Sequence, residues 1–453
     1  MGKLVWWGCV LVLVSACTKK NPAYCAGDAE CLDSLRPFCD VAGEFEESGF
    51  EDNTCIERPA DCAVERCGCT PNAATCEGTQ ISVCDANGRS VTTSPCALGC
   101  ASSEPRCATF EPSNDLGNAL EDAGLEMDVV LPAGVTFDTS AGVVTTSGGA
   151  TLSVRSVLVA QGGGMKPIRA FLGRSFVFEE TRIVGANPFA AVAPGPILVK
   201  GRVDASASGR TNGPGAQEGG ASCVGGATAH EQCGSNNCAP GAGGGGNGTS
   251  GGAGSAAGLQ VVRLGGQAQT SFAPLAGGCR GGDHLNTGGS LLNQGGAGGG
   301  AVQLVSLDSV RLVELGLIDV GAGGGDATAG GGSGGTVVLE APIVRMTAPT
   351  AGVTANGGAG GACSAIGPDA TPTLTPALGP TCYYSAGNGG TGAAAATSAL
   401  FCPIGACYIG EGPRGGGGGA VGRIRISTAD GQFESAGPPL VSAIVTTGTL
   451  SPQ

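Results

Sequence analysis

Residues 299–361 read GGAVQLVSLDSVRLVELGLIDVGAGGGDATAGGGSGGTVVLEAPIVRMTAPTAGVTANGGAGG. Ala301-Val302-Gln303-Leu304 returns as Thr336-Val337-Val338-Leu339, and Ile318-Asp319-Val320-Gly321 as Val353-Thr354-Ala355-Asn356. Both returns come 35 residues on (301 to 336, 318 to 353), so the stretch is a repeat of fixed period. Its apolar runs are three to six residues long, rich in Val, Leu and Ile, and bounded by Gly, Pro, Asn or Ser. That is the punctuation of short strands. Val302, Leu304, Val310, Leu312, Ile318 and Val320 alternate with more polar neighbours, which turns one side of each strand inward. A single unit of this kind cannot bury its apolar side alone, whereas stacked units share a continuous core. The expected fold is all-β, a right-handed parallel β-helix with glycine-rich loop insertions. Helical solenoids have similar periods, but each glycine would cost a helix about 1 kcal/mol relative to alanine.

The pattern extends outward in both directions. Val203-Asp204-Ala205-Ser206 aligns with Ile318-Asp319-Val320-Gly321. Strand-like runs are expected at 128–131, 135–138, 152–160, 175–178, 182–184 and 197–205. Four runs rise out of glycine tracts into a strand, at Ala257–Val261, Gly300–Val302, Gly335–Val337 and Gly419–Val421. The long tracts, Gly209–Gly258 and Ala355–Gly419, read as partly ordered insertions projecting from one edge of the coils. Asn118–Glu126 suits a short capping helix, with Asn114 or Asp115 as its N-cap.

Composition agrees with a solenoid. Of 453 residues 86 are glycine, yet the every-third-residue glycine of collagen is absent. Aromatic residues make up only 4%, which points to a core of small aliphatic side chains. Net charge is −14, against the basic footprint that nucleic acid requires. The acidity is concentrated in Asn21–Asp115, with 17 Asp/Glu against 5 Lys/Arg.

Met1–Cys17 reads MGKLVWWGCVLVLVSAC, a positive n-region followed by an apolar run too short to span a membrane. Val14-Ser15-Ala16-Cys17 resembles the bacterial lipobox. That resemblance implies cleavage before Cys17, lipid on Cys17 and attachment to the membrane through that lipid. The competing reading is an ordinary secretory signal. Thr18, where an Asp would imply inner-membrane retention, leans towards the outer membrane or cell surface of a Gram-negative bacterium. The expected organisation is a signal peptide (1–16), lipidated Cys17 and tether (17–24), a cysteine-rich module (25–110) and the glycine-rich β-helix (111–453).

The module holds twelve cysteines: Cys25, Cys31, Cys39, Cys55, Cys62, Cys67, Cys69, Cys76, Cys84, Cys96, Cys100 and Cys107. Eight more follow: Cys223, Cys233, Cys238, Cys279, Cys363, Cys382, Cys402 and Cys407. Even counts in an exported chain read as disulfides, with the connectivity open. In a module poor in apolar runs, each bridge contributes roughly 2–4 kcal/mol in place of a core. Zinc on Cys67/Cys69 and Cys96/Cys100 is the alternative, weakened by the lack of histidine there. Asn87-Gly88 suits a hairpin turn within a strand-turn-strand unit.

The cysteine-rich front, the Pro112-Ser113-Asn114 boundary and the glycine-interrupted repeat with its Val203-Asp204-Ala205-Ser206 and Gly334–Pro342 elements together resemble the cell-surface lipoproteins of myxobacteria. The likeness spans nearly the whole chain. It implies an architecture and an address, and it brings no activity with it.

Candidate chemistry is sparse. His230 lies among Cys223, Cys233 and Cys238 in a spacing open to a Cys3His zinc site, but even cysteine parity favours disulfides and no metal is expected. His284 reads as a loop residue. Gly331–Gly335 and Gly248–Gly252 match G-x-S-x-G without the strand-to-helix elbow or histidine that the motif needs. The one Gly-Lys pair is Gly2-Lys3, so no phosphate loop is present. Asp326, in GAGGGDATA, half matches a calcium-binding nonapeptide. Charged residues in the repeat are Arg202, Asp204, Asp308, Arg311, Glu314, Asp319, Glu340 and Arg345. Arg202, Asp204 and Asp319 are expected to share a face, since residues two apart in a strand point the same way. A β-helix polysaccharide lyase or hydrolase would use such a cluster. The favoured reading is a structural or adhesive surface protein, without catalysis or cofactor, whose partner is an envelope or matrix polysaccharide.

Overall fold

The computed structural model describes residues 31, 38–40, 54–56, 69–70, 72–85, 91–102, 104–124, 126–218, 225–230, 240–255, 262–381, 386–390, 395–400 and 415–453. The chain divides into two compact units, Met1–Ala108 and Thr109–Gln453. This boundary lies two residues before the composition break at 110/111. Thr109 and Phe110 go with the second unit because Thr109 exchanges main-chain hydrogen bonds with Gln453 and Phe110 pairs with Pro452.

In the first unit, Ala74–Glu77, Gln80–Cys84 and Val91–Pro95 form an antiparallel sheet. Every residue of Val91–Pro95 is exposed, so the sheet has little apolar cover. Disulfides hold it instead: Cys69–Cys84, Cys76–Cys100 and Cys96–Cys107. A fourth, Cys31–Cys55, ties the neighbourhood of the paired strands Phe38–Asp40 and Thr54–Ile56. Cys39, Cys279 and Cys363 are also disulfide-bonded. Cys17, Cys25, Cys62, Cys67, Cys223, Cys233, Cys238, Cys382, Cys402, Cys407, the Asn87-Gly88 turn and the Ala257–Val261 run lie outside the described residues.

The second unit is mostly β, with one short helix among its described residues. Most of its strands fall into sheets of seven, six and eight, parallel except near the start of the unit, and Ala229–His230, His284–Leu285 and Leu291–Asn293 form a separate small sheet. Successive strands go to successive sheets. Ala301–Ser306 lies in the first sheet, Ser309–Leu312 in the second and Leu317–Asp319 in the third. Thr336–Glu340, Ile343–Met346 and Gly352–Thr354 then take the same order. The 35-residue period is the pairing register itself: Ala301 faces Thr336 and Ile318 faces Val353. One pass earlier, Val203 faces Ile318.

The inward side chains of all three sheets form one interior. Its later passes are aliphatic, as expected: Val302, Leu304, Val310, Leu312, Ile318, Val337 and Leu339. Its early passes are not. Phe137, Phe171, Phe176, Phe178 and Phe189 are fully buried, and Phe137 meets Phe171 and Phe189 edge-on at 4.7 and 5.3 Å. The low aromatic content hid this because five of the twelve phenylalanines sit together.

The helix spans Gly117–Ala123. It buries Ala119, Leu120 and Ala123 and packs on the first-sheet strands Ile168–Leu172 and Phe189–Ala193. Neither Asn114 nor Asp115 caps it; Leu116 occupies that position without a side-chain bond. Both residues are left-handed, with φ 62 and 58°, and the Asn114 amide instead donates to the Gln303 side chain at 2.9 Å.

The glycine tracts leave the third sheet after Asp204, Asp319 and Thr354 and re-enter the first at Ala301, Thr336 and Arg423. They therefore project from one edge, as expected, but as a packed body in their own right. From Gly330 to Gly335 the main-chain N–H groups donate in turn to Gly282, Gly417, Gly323, Cys279, Ala420 and Val320. The same three neighbouring segments recur at every third residue. That is the symmetry of an extended helix with three residues per turn, here hydrogen-bonded between segments instead of to water. The segments lie so close that a methyl on Gly334 would sit 1.9 Å from the Ala355 carbonyl oxygen. Glycine is required by close approach here, and backbone hydrogen bonds replace an apolar core.

Candidate functional site

The third sheet brings together the one charged cluster expected from spacing. Arg202 and Asp204 lie on the same side of their strand, and Asp204 pairs in register with Asp319, which pairs with Thr354. Arg202 Nη2 is 3.3 Å from Asp204 Oδ1 and 2.5 Å from Asp319 Oδ2. The carboxylates have further tasks. Asp204 Oδ1 accepts from the Ser206 N–H at 3.0 Å and its hydroxyl at 2.6 Å. Asp319 Oδ1 accepts from the Gly321 N–H at 3.1 Å and the Thr354 hydroxyl at 2.9 Å. These bonds fix the turns at which the chain leaves the sheet for a glycine tract.

Asp319 is 2% exposed. Burial pushes its carboxyl pKa up, opposed by the Arg202 guanidinium and the Thr354 hydroxyl. Such a group is closed to substrate, and its oxygens are already engaged.

The other charged residues of the repeat do not join this cluster. Asp308 and Glu314 are exposed. Glu340, on the outer face of the first sheet, accepts from the Ser113 N–H at 3.1 Å and the Gln303 amide at 2.8 Å. It is 4% exposed, and desolvation raises its pKa against those bonds. One further charged group is not legible in the sequence. Arg423 is 5% exposed, donates to the Ser271 carbonyl and lies 5.1 Å from the Phe272 ring centroid. Burial lowers its pKa to about 10.

Ser333 of the G-x-S-x-G match is fully buried in the glycine body, where its hydroxyl accepts from the Cys279 N–H at 2.7 Å. Asp326 forms an ion pair with Arg210 and accepts from the Gln294 N–H at 3.4 Å, which is not a calcium arrangement. His284 is buried, with Nδ1 2.9 Å from the Thr328 hydroxyl. His230 is exposed in a two-residue strand. Among the described residues no three His, Cys, Asp or Glu gather as a metal site, and no helix is long and apolar enough to cross a membrane.

The three sheets differ in how their outer faces are covered. On the first, the outward Ala170, Ala190, Val192, Gln303, Val338 and Glu340 are buried, while the last two passes of that face, at Arg425 and Thr446, are exposed. On the third, the carboxylate ladder is largely closed. The second is open. Its outward side chains align in register as Val130, Val177, Leu198, Arg311, Arg345 and Glu434. Val130 and Glu434 are exposed and the four between them half-buried. No family model, curated protein or solved structure matches the chain.

Proposed function

We propose that the second unit is a right-handed parallel β-helix, and that the protein is exported, lipid-anchored at Cys17 and displayed on the cell surface as a non-catalytic binder of envelope or matrix polysaccharide. The rotation of successive strands through the three large sheets from Ile168 onward, with a 35-residue register in the first and third, supports the fold. Disulfides in the first unit fit an oxidising compartment.

The single observation carrying the binding role is the open outer face of the second sheet, a ladder of aligned side chains from Val130 to Glu434. Side chains repeated at the strand spacing of about 4.8 Å suit a linear polymer held by many weak contacts. A β-helix lyase or hydrolase would need the Arg202 cluster, whose carboxylates are engaged in turns and, at Asp319, removed from solvent.

Incubating the purified protein with isolated envelope and matrix polysaccharides tests this. Saturable binding with unchanged polymer length is expected. Shortened chains would make it an enzyme, and no binding to any of the polymers would remove the role.

A further inference from the structure

We propose that the open face of the second sheet is a binding site for acidic polysaccharide, with Arg311 and Arg345 as the carboxylate-binding residues. This rests on the polymer-binding reading above and names its ligand class and its contacts.

Arg311 and Arg345 are direct cross-strand partners. Like charges placed directly opposite one another oppose sheet formation, so this pairing is not explained by stability. Between them they have limited compensation. Arg345 holds Glu434, with Nε 2.7 Å from Oε2, while Arg311 Nε donates to the Ser309 hydroxyl at 3.2 Å. The Arg345–Glu434 pair is solvent-exposed, with side chains 37% and 62% accessible, and a competing carboxylate can displace it. Two guanidiniums one strand apart present planar forks to carboxylates. Leu198, Val177 and Val130 continue the same ladder as an apolar strip. A uronate polymer offers both chemistries, carboxylates at regular intervals and apolar sugar faces. In a chain of net charge −14, adjacent arginines on an uncovered face are where such a polyanion meets least repulsion.

The test is binding of the full-length protein to polygalacturonate and to the same polymer fully methyl-esterified, which keeps the backbone and removes the charge. Polygalacturonate is expected to bind, more weakly as salt rises, and at least tenfold more tightly than the ester. Arg311→Gln with Arg345→Gln should lose tenfold or more, and Arg311→Gln alone should lose more than Arg182→Gln, which removes the same single charge on the third sheet. Glu434→Gln should bind more tightly, since it frees Arg345. Unaltered circular dichroism would show that each variant is folded. Equal loss in Arg182→Gln and Arg311→Gln, or no loss in the double variant, would overturn the site. Preference for the ester would overturn the acidic ligand yet leave polymer binding standing. Failure to bind either polymer, with binding to a neutral envelope glycan, would do the same. No binding to any glycan would end both readings.

Discussion

Arg202 Nη2 lies 2.5 Å from Asp319 Oδ2 although 117 residues separate them in the chain. They meet because Arg202–Asp204 and Leu317–Asp319 are adjacent parallel strands of successive passes, while the long glycine tract between them is looped out. Loss of Arg202 would leave Asp319 buried without its counter-ion. Arg202→Ala should cost about 2 kcal/mol, below the range for a fully buried pair because a third of the Arg202 side chain is in solvent. A raised carboxyl pKa means that the folded protein keeps a proton the unfolded chain releases. Its contribution is present in acid and is lost as pH rises through the folded value. The variant raises that pKa further, so denaturant unfolding should show a larger loss at pH 8 than at pH 5. Equal losses would show that Asp319 does not titrate in this range.

Close packing of glycine segments makes a sharper forecast. Gly334→Ala places a methyl 1.9 Å from a carbonyl oxygen, and displacement of backbone should cost about 3 kcal/mol or more. Gly162 has nothing within 4 Å of the same position, so Gly162→Ala should be neutral or stabilising by about 0.4–1 kcal/mol. Hydrogen exchange at Gly330–Gly335 should rise in the first variant and not in the second.

Glu340 binds the chain segment that enters the second unit, through the Ser113 N–H. Its pKa is raised by burial, so by the same sign rule its ionisation costs stability above the unfolded carboxyl value. Glu340→Gln should raise the unfolding midpoint at pH 8 and change it little at pH 5. A lower midpoint at both would mean that the charge-assisted bonds to Ser113 and Gln303 outweigh desolvation.

The phenylalanine cluster anchors the early passes. Phe137→Ala should cost about 3–5 kcal/mol in thermal or denaturant unfolding. Val337→Ala, in a later aliphatic pass, should cost less because fewer atoms are removed.

The repeat period was legible because a parallel strand pairs with its own copy one pass later, so Ala301 and Thr336 are both spacing partners and register partners. The Arg202, Asp204 and Asp319 ladder followed from two-residue alternation and one alignment. Three first-sheet strands escaped, Ile168–Leu172, Phe189–Ala193 and Ile444–Thr449. The second reads FAAVA, whose alanines carry weak strand propensity. The order within the glycine tracts left no signature, because each segment's neighbours come from other tracts and nearly every interior position must be glycine. Glu340 and Ser113 are 227 residues apart with no repeat relation, so nothing local linked them. The open second face required knowing which faces the helix and the tract-derived loops cover.

Surface labelling of intact cells tests the central claim most directly. An impermeant amine reagent should reach Lys200, half-buried at the end of a second-sheet strand, before lysis as efficiently as after it. A Lys200→Arg variant identifies the labelled site. Equal labelling before and after lysis would put the binding face outside the cell. Labelling that requires lysis would contradict display on the surface and with it the proposed encounter with external polysaccharide.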